Sequence, residues 1–308
     1  MTALDAETPA EVGPEAVPGG VLGVIAGAGA LPRLAAEAEA RRGGAVFVLG
    51  LSGFAESWIE AWPHERCALG QAGKLFSTLK KQGCDRVCFA GGLSRPSLVT
   101  LAKSLRFDLT AMRLAPQVAR LLRRGDDGLL RGLAELFEAR GFQLIAAQSL
   151  LGELLAPAGA IGRRAPSPRD LEDMARAAEI VAALGAVDVG QGAVVAHGRC
   201  LAVETVFGTD WMLASLVGQK RRQGAPIPSG VLFKAPKPEQ DERLDWPTIG
   251  PRTIAAVKAA GLNGVALAAG GVFILDIVET AAAADAAGVF LFGREADAAA
   301  PGAPEPQA

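Results

Sequence analysis

The chain has few of the side chains that build metal and redox centres: its 308 residues include two histidines and four cysteines. Cys67, Cys84, Cys88 and Cys200 form no CxxC pair. With His64 and His197 they are too scattered to assemble a structural zinc site. Cys88 falls within Val87-Cys88-Phe89, a buried-strand pattern, so its thiol belongs to a core. Such cysteine usage reads as that of a reduced, cytosolic protein. His197 falls at an expected turn and His64 in a Trp-Pro loop, which makes both surface residues. Neither a G-x-S-x-G elbow nor an HExxH helix occurs, and this removes the commonest hydrolase designs.

Also missing is an apolar run of about 20 residues, the length a membrane-spanning helix needs. The net charge is −2 and lysines and arginines are dispersed, so no electrostatic footprint for nucleic acid exists. Residues 1–20 are acidic and Pro/Ala-rich without a basic n-region or an apolar h-region, and read as a disordered tail rather than a signal peptide. The Ala/Pro-rich residues 297–308 read as a second tail.

What is present is a hydrophobic chain: half its residues are apolar, which excludes global disorder. Its length allows two domains, each with its own core. VLGVIA, AVFVLGL (Ala45–Leu51) and RVCFAGGL (Arg86–Leu93) read as strands. They alternate with helices at about Pro32–Arg42 and in KLFSTLKKQGC, the pattern of a parallel α/β sheet. Arg113–Arg140 reads as helical, interrupted by RRGDDG at Arg123–Gly128, and FQLIAAQSL as a further strand. PAGAIGRRAPSP has linker composition. These features divide the chain into an N-terminal Rossmann-like domain over 21–152, a linker over 153–168, and a C-terminal catalytic or substrate α/β domain with β-hairpins over 169–296. In the latter, DLEDMARAAEIVAALGA and RTIAAVKAAGL read as helices. GAVVAHGRCLAVET and GVALAAGGVFILD read as hairpins turning near His197-Gly198 and Gly270-Gly271. Gly192 precedes Glu204 by the interval that separates Gly264 from Asp276, which hints at an internal repeat. Unlike strand orders in the two units would refute it.

Polar residues concentrate in one island, Val231–Gly250, VLFKAPKPEQDERLDWPTIG. Pro236 and Pro238 stiffen it and argue for a loop rather than a helix. A stiff loop with Lys234, Lys237, Asp241, Glu242, Asp245 and Thr248 suits a phosphate–metal site. It equally suits a solvated surface loop. GAGALP (Gly27–Pro32) lies between a strand and a helix, where Gly27, Gly29, Ala30 and Leu31 can present backbone N–H groups to a phosphate, or form a plain tight turn. It misses the third glycine of a dinucleotide fingerprint, and no acid closes the second strand where a ribose partner would sit. Ser94 and Arg95 follow the third strand at the carboxyl edge, placed either to hold an anion or as an ordinary loop exit. Gln191 stands between two glycines at a strand entrance, where a base or sugar edge can meet its amide. Thr209 and Asp210 open a helix, and Glu204 just upstream brings two carboxylates to one strand end. Asp245, Glu204 and Asp210 are thus the candidate metal ligands, and such hard oxygen donors point to magnesium or manganese rather than zinc.

Six segments in one order, GAGALP, GQAGKLFSTLKKQGCDRVCFAGGLSRP, GDDGLLR, DVGQGAVV, ETVFGTD and KAPKPEQDERLDWPTIG, resemble those of UDP-2,3-diacylglucosamine pyrophosphatases of the LpxI type. The resemblance runs from about Leu22 to Gly293. It implies a cytoplasmic hydrolase of lipid A biosynthesis, peripheral at the inner membrane, that clasps its substrate between two domains. The implied products are UMP and 2,3-diacylglucosamine 1-phosphate, and the implied cofactor is a divalent cation, magnesium by preference. By match to the DxPTIG motif, Asp245 corresponds to the family's essential aspartate, with Trp246 beside it in place of the usual leucine. Lys234 and Lys237 are then expected to neutralise phosphate oxygens, and Gln191, Thr209, Asp210 and Thr248 to contact substrate. A nucleotide-dependent α/β oxidoreductase and a non-catalytic nucleotide-sugar binder are the competing readings. A homodimer fits the prevalence of closed symmetric assemblies.

Overall fold

The computed structural model describes residues 20–92, 108–114, 125–223, 229–238, 241, 243–244 and 246–295. Both tails (Gly20 apart) lie outside these residues, as do Arg123, Ser94, Arg95, Glu242 and Asp245. The chain separates into two compact units. One comprises residues 1–113 with 137–145, and the other residues 114–136 with 146–308.

In the first unit, β1 (Val21–Ala26), β2 (Ala45–Leu51), β3 (His64–Cys67), β4 (Cys84–Ala90) and β5 (Gln143–Leu144) form a sheet in the order β3-β2-β1-β4-β5. All its pairings are parallel. Helices α1 (Leu31–Arg41) and α2 (Ala72–Lys81) make the crossovers, so the Rossmann-like expectation holds. Strand β1 is central and has near-continuous apolar burial, as a parallel strand covered on both faces requires. Strand β3 was not expected, because HERC is too polar to stand out. It is an edge strand in which only Cys67 is buried. FQLIAAQSL yields two strand residues and then a short helix, Ala147–Leu150, because β5 is also an edge with a single neighbour. Burial pushes the Cys88 thiol up to about 12, in keeping with a core cysteine. The expected break at Arg123–Gly128 is not seen from Gly125 onward: α3 runs over Gly125–Glu138.

The second unit holds a six-stranded sheet in the order β6-β13-β11-β9-β7-β8, where β6 is Gly159–Ala160, β7 Gly192–Ala196, β8 Arg199–Val203, β9 Val231–Lys234, β11 Gly264–Ala268 and β13 Phe290–Arg294. A separate two-stranded parallel sheet joins β10 (Thr248–Ile249) to β12 (Phe273–Ile274). Helix α4 (Pro168–Ala186) covers one face, and α5 (Gly208–Gln223), α6 (Pro251–Ala260) and α7 (Ile277–Ala287) accompany the other. Period-two alternation builds both cores. Val194, Leu232, Val265, Leu267 and Leu291 enter the cluster with Met212, Leu213 and Ile254, whereas Ala193, Val195, Val231, Phe233, Ala266 and Phe290 enter the one with Met174 and Val181.

The first expected hairpin is present. β7 and β8 pair antiparallel around His197 and Gly198, both at positive φ as a primed two-residue turn requires. Asp173 of α4 fixes that turn by accepting the His197 and Gly198 N–H groups at 2.9 and 2.7 Å. The second is corrected. β11 does not fold back on β12 but lies parallel between β9 and β13, because α7 carries the chain back to the sheet. One unit is therefore an antiparallel hairpin and the other a parallel crossover, which refutes the internal repeat. The polar island is likewise not loop throughout, since its first four residues are strand β9.

Candidate active site

Strand β9 passes through the middle of the six-stranded sheet, and its alternation decides where Lys234 points. Two residues beyond Leu232, it faces the α5 side of the sheet. There Lys234 Nζ donates to Thr209 Oγ1 at 2.6 Å, and Thr209 Oγ1 donates to Glu204 Oε1 at 3.0 Å. The other carboxylate oxygen, Glu204 Oε2, lies 3.4 Å from Lys234 Nζ. Lys234 is 4% and Glu204 7% exposed. Burying either charge alone is strongly unfavourable, so each is tolerated because of the other. Three residues from the end of β8, the start of α5 and the end of β9 thus form one buried chain.

The Gly190-Gln191-Gly192 segment fits around this chain. A Cβ on Gly190 would stand 2.1 Å from the Glu204 carbonyl oxygen, and one on Gly192 2.6 Å from Glu204 Oε2. The two glycines are what admit Glu204. Gln191 accepts the Ala235 N–H through its backbone oxygen at 3.1 Å, tying the segment to the residue after Lys234. Its side-chain Oε1 is buried and has no hydrogen-bond partner among the described residues.

Lys237 pairs with Asp188, and both side chains are largely buried. Asp188 has φ of 54°, an uncommon region for a residue with a Cβ and one that Asp tolerates better than most. The remaining expected residues lie apart from this cluster in their contacts. Asp210 is exposed, and Arg252 stands 3.7 Å away in an equally open pair that contributes little. Thr248 donates from Oγ1 to the Trp246 carbonyl at 3.1 Å within the β10 segment. Arg243 hydrogen-bonds Asp241 and holds that carboxyl below the usual range.

In the first unit the glycine turn after β1 meets the loop after β4, at the point where strand order reverses. Gly27 N–H donates to Ala90 O at 2.9 Å, and Ala28 and Gly92 exchange hydrogen bonds at 3.0 Å. A Cβ on Gly27 would stand 2.8 Å from Gly92 O, so that glycine serves the crossing of two backbones. Gly29, at φ of 90°, faces open space, and its N–H reaches Glu56 Oε1 at 3.3 Å. Ala30 and Leu31 lead into α1, where Pro32 sits in the first turn.

For a divalent ion the described residues do not supply a ligand set. No group of three or more His, Cys, Asp or Glu side chains stands together among them. Glu204 is already neutralised by Lys234, and Asp210 belongs to the exposed pair with Arg252. No helix of the described residues is long and apolar enough to cross a membrane.

Three contributors to these geometries were not singled out in the sequence: Asp188, Glu56 and Gly190. Asp188 opens the DVGQG segment, and an acid beside an apolar-glycine run was its available signal. Glu56 lies five residues beyond β2, too far along for the acid sought at that strand's end.

Fold and site together define a two-domain α/β protein: a Rossmann-like unit, and a second unit that buries a Lys–Thr–Glu chain at the carboxyl end of a mixed sheet. The model of the LpxI N-terminal domain matches residues 21–154, and that of the LpxI C-terminal domain residues 157–292. The chain belongs to the LpxI family. It is 40% identical over 275 residues to UDP-2,3-diacylglucosamine pyrophosphatase LpxI of Caulobacter vibrioides, covering 88% of this chain and 96% of the relative. Among solved structures, the UDP-glucose 4-epimerase complex with NAD from Thermus thermophilus is matched at 13% identity, over 89% of this chain and 86% of that one. Its TM-score is 0.28.

Proposed function

We propose that this protein hydrolyses the pyrophosphate bond of UDP-2,3-diacylglucosamine, giving UMP and 2,3-diacylglucosamine 1-phosphate in lipid A biosynthesis. The observation that carries this reading is the 40% identity, over nearly the whole length of both chains, to a relative named for that activity. The reaction adds one water across the P–O–P linkage. Its oxygen joins one phosphorus, the bridging oxygen leaves on the other, and the proton balance passes to a base or solvent.

Such a displacement needs charge neutralisation around the phosphates and an oriented water. Asp245 is the proposed key carboxylate, and Lys234 and Lys237 are the cations proposed to neutralise phosphate oxygens. Gln191 offers an unpartnered amide oxygen for a base or sugar donor, which supports its proposed contact with substrate. Thr209, Asp210, Thr248, Ser94, Arg95 and the Gly27–Leu31 turn complete the proposed contacts. Magnesium, or manganese, remains the proposed cofactor, with no step assigned to it. Each lysine is held by an acid partner, Glu204 for Lys234 and Asp188 for Lys237, which fixes where its ammonium stands.

Mass-spectrometric detection of UMP and the sugar phosphate, with magnesium and with excess chelator, tests the activity and the metal together. Asp245→Ala should abolish turnover and leave folding and substrate binding intact. Near-normal hydrolysis by that variant refutes the assignment of Asp245. Tight substrate binding without product release marks a binding protein instead, and NAD(P) binding an oxidoreductase. Peripheral association with the membrane surface is proposed as well. Flotation with liposomes carrying the lipid substrate checks it, and recovery of all protein in the unbound fraction counts against it.

A further inference from the structure

Resting on the hydrolase reading above, we propose that Glu204 is a positioning residue for Lys234 and not a ligand of the divalent ion. Both oxygens of its carboxylate face the cation side: Oε1 accepts from Thr209, which accepts from Lys234, and Oε2 lies 3.4 Å from the ammonium itself. Glu204 is only 7% exposed, and Oε2, buried without a hydrogen-bond partner among the described residues, has the Lys234 ammonium 3.4 Å away as its counter-charge. No second acid joins it among the described residues.

The arrangement has a definite job. A lysine side chain has four rotatable bonds, and Lys234 at the end of β9 precedes Ala235-Pro236-Lys237, the start of the polar island. A fixed ammonium requires partners on two sides. Thr209, from the first turn of α5, and Glu204, just past β8, provide them, so three separate elements are locked at one point. Thr209 is the hinge of the chain because its hydroxyl both accepts and donates. Losing Glu204 leaves the hydroxyl without an acceptor and the ammonium without a counter-charge. The consequence for turnover acts through Lys234 and not through the metal.

The test compares wild type, Glu204→Gln, Thr209→Val, Thr209→Ser, Lys234→Met and the Glu204→Gln/Lys234→Met double variant. Hydrolysis of UDP-2,3-diacylglucosamine is measured across a magnesium titration, and thermal melting without substrate. Glu204→Gln and Thr209→Val should each lower kcat by about tenfold or more, the scale on which loss of a charge-assisted hydrogen bond is felt, with Thr209→Ser close to wild type. The magnesium concentration giving half-maximal rate should stay within about threefold of wild type in both, since no metal ligand has been removed. In melting, the double variant should be more stable than the sum of its single losses, because removing both charges leaves neither buried alone. A larger rise in the magnesium requirement, an unchanged kcat, or strictly additive melting losses each overturn the proposal. Absence of hydrolysis in wild type would defeat the functional reading instead, and the melting cycle reads the Glu204–Lys234 coupling independently of it.

Discussion

Gly192 and Glu204 share a space that admits a side chain from only one of them: a Cβ built on Gly192 would lie 2.6 Å from Glu204 Oε2. The opposing atom is the tip of a side chain, so an added methyl can be accommodated by pushing the carboxylate aside. That movement breaks its geometry with Lys234 and Thr209. Gly192→Ala is therefore expected to keep the fold, costing about 1–3 kcal/mol from overpacking, while activity falls disproportionately. At Gly190 the opposing atom is the Glu204 carbonyl oxygen, at 2.1 Å, which cannot swing away. Gly190→Ala should lower melting temperature more than Gly192→Ala. The reverse order in calorimetry would contradict this account.

The first unit offers a parallel contrast between two glycines. Gly91 has φ of 85°, and a Cβ there would lie 2.5 Å from Ala28 O. Gly29 has φ of 90° with open space around it. Gly29→Ala should cost about 1–2 kcal/mol of backbone strain alone, whereas Gly91→Ala adds a clash between the crossing loops. Urea titration of both variants measures the difference. Equal midpoints would mean that the loops can part without cost.

Much of this fold was readable because burial and alternation carry it. AVFVLGL announces β2 to the residue, and GAVVAHGRCLAVET announces a hairpin since His-Gly can adopt its turn. GVALAAGGVFILD misled because an apolar run followed by two glycines has the local look of a hairpin. Only the return of α7 to β13 makes β11 an interior parallel strand, and that is a long-range fact. At the site, Lys234, Thr209 and Glu204 could each be picked out as chemistry-bearing residues. Their mutual contact could not be read, because it depends on which face of β9 carries Lys234. The same dependence hid from the sequence that Glu204 stands beside the Lys234 ammonium.

A second buried ion pair lies far from that chemistry in sequence. Arg86 of β4 donates to Glu39 of α1 at 2.7 Å, and their side chains are 7% and 1% exposed. Glu39 Oε2 has no hydrogen-bond partner among the described residues, so the pair is incompletely satisfied. Glu39→Gln should destabilise the unit by about 3–5 kcal/mol, because Arg86 is then buried without a counter-charge. Replacing both residues by methionine should recover most of that loss. Denaturant unfolding followed on each variant decides the matter, and a double variant as unstable as Glu39→Gln would refute the compensation argument.

The last prediction concerns acid. Asp170 opens α4 in a capping box, accepting the Ser167 N–H and hydroxyl through Oδ2 at 2.9 and 2.6 Å, while Oδ1 accepts from Asn263 Nδ2 at 2.8 Å. Burial works against its ionisation, but the hydrogen bonds from Ser167 and Asn263 outweigh it and hold the carboxyl below its usual range. A depressed folded pKa means that the stabilisation is complete above the unfolded value, about 3.9, and is lost as pH falls through the lower folded value. Asn263→Ala removes one of the groups that favour the ionised form. It should cost about 1.5–3 kcal/mol at neutral pH, the range for a hydrogen bond to a charged group. The gap between wild type and variant should then narrow below about pH 4, as both carboxyls become protonated. Melting temperatures of the two proteins from neutral pH to about pH 3 test this, the gap closing only over the pH range in which Asp170 gains its proton. A gap that stays constant over that span would show that Asn263 supports the ends of α4 and β11 by packing, and not by stabilising the Asp170 carboxylate.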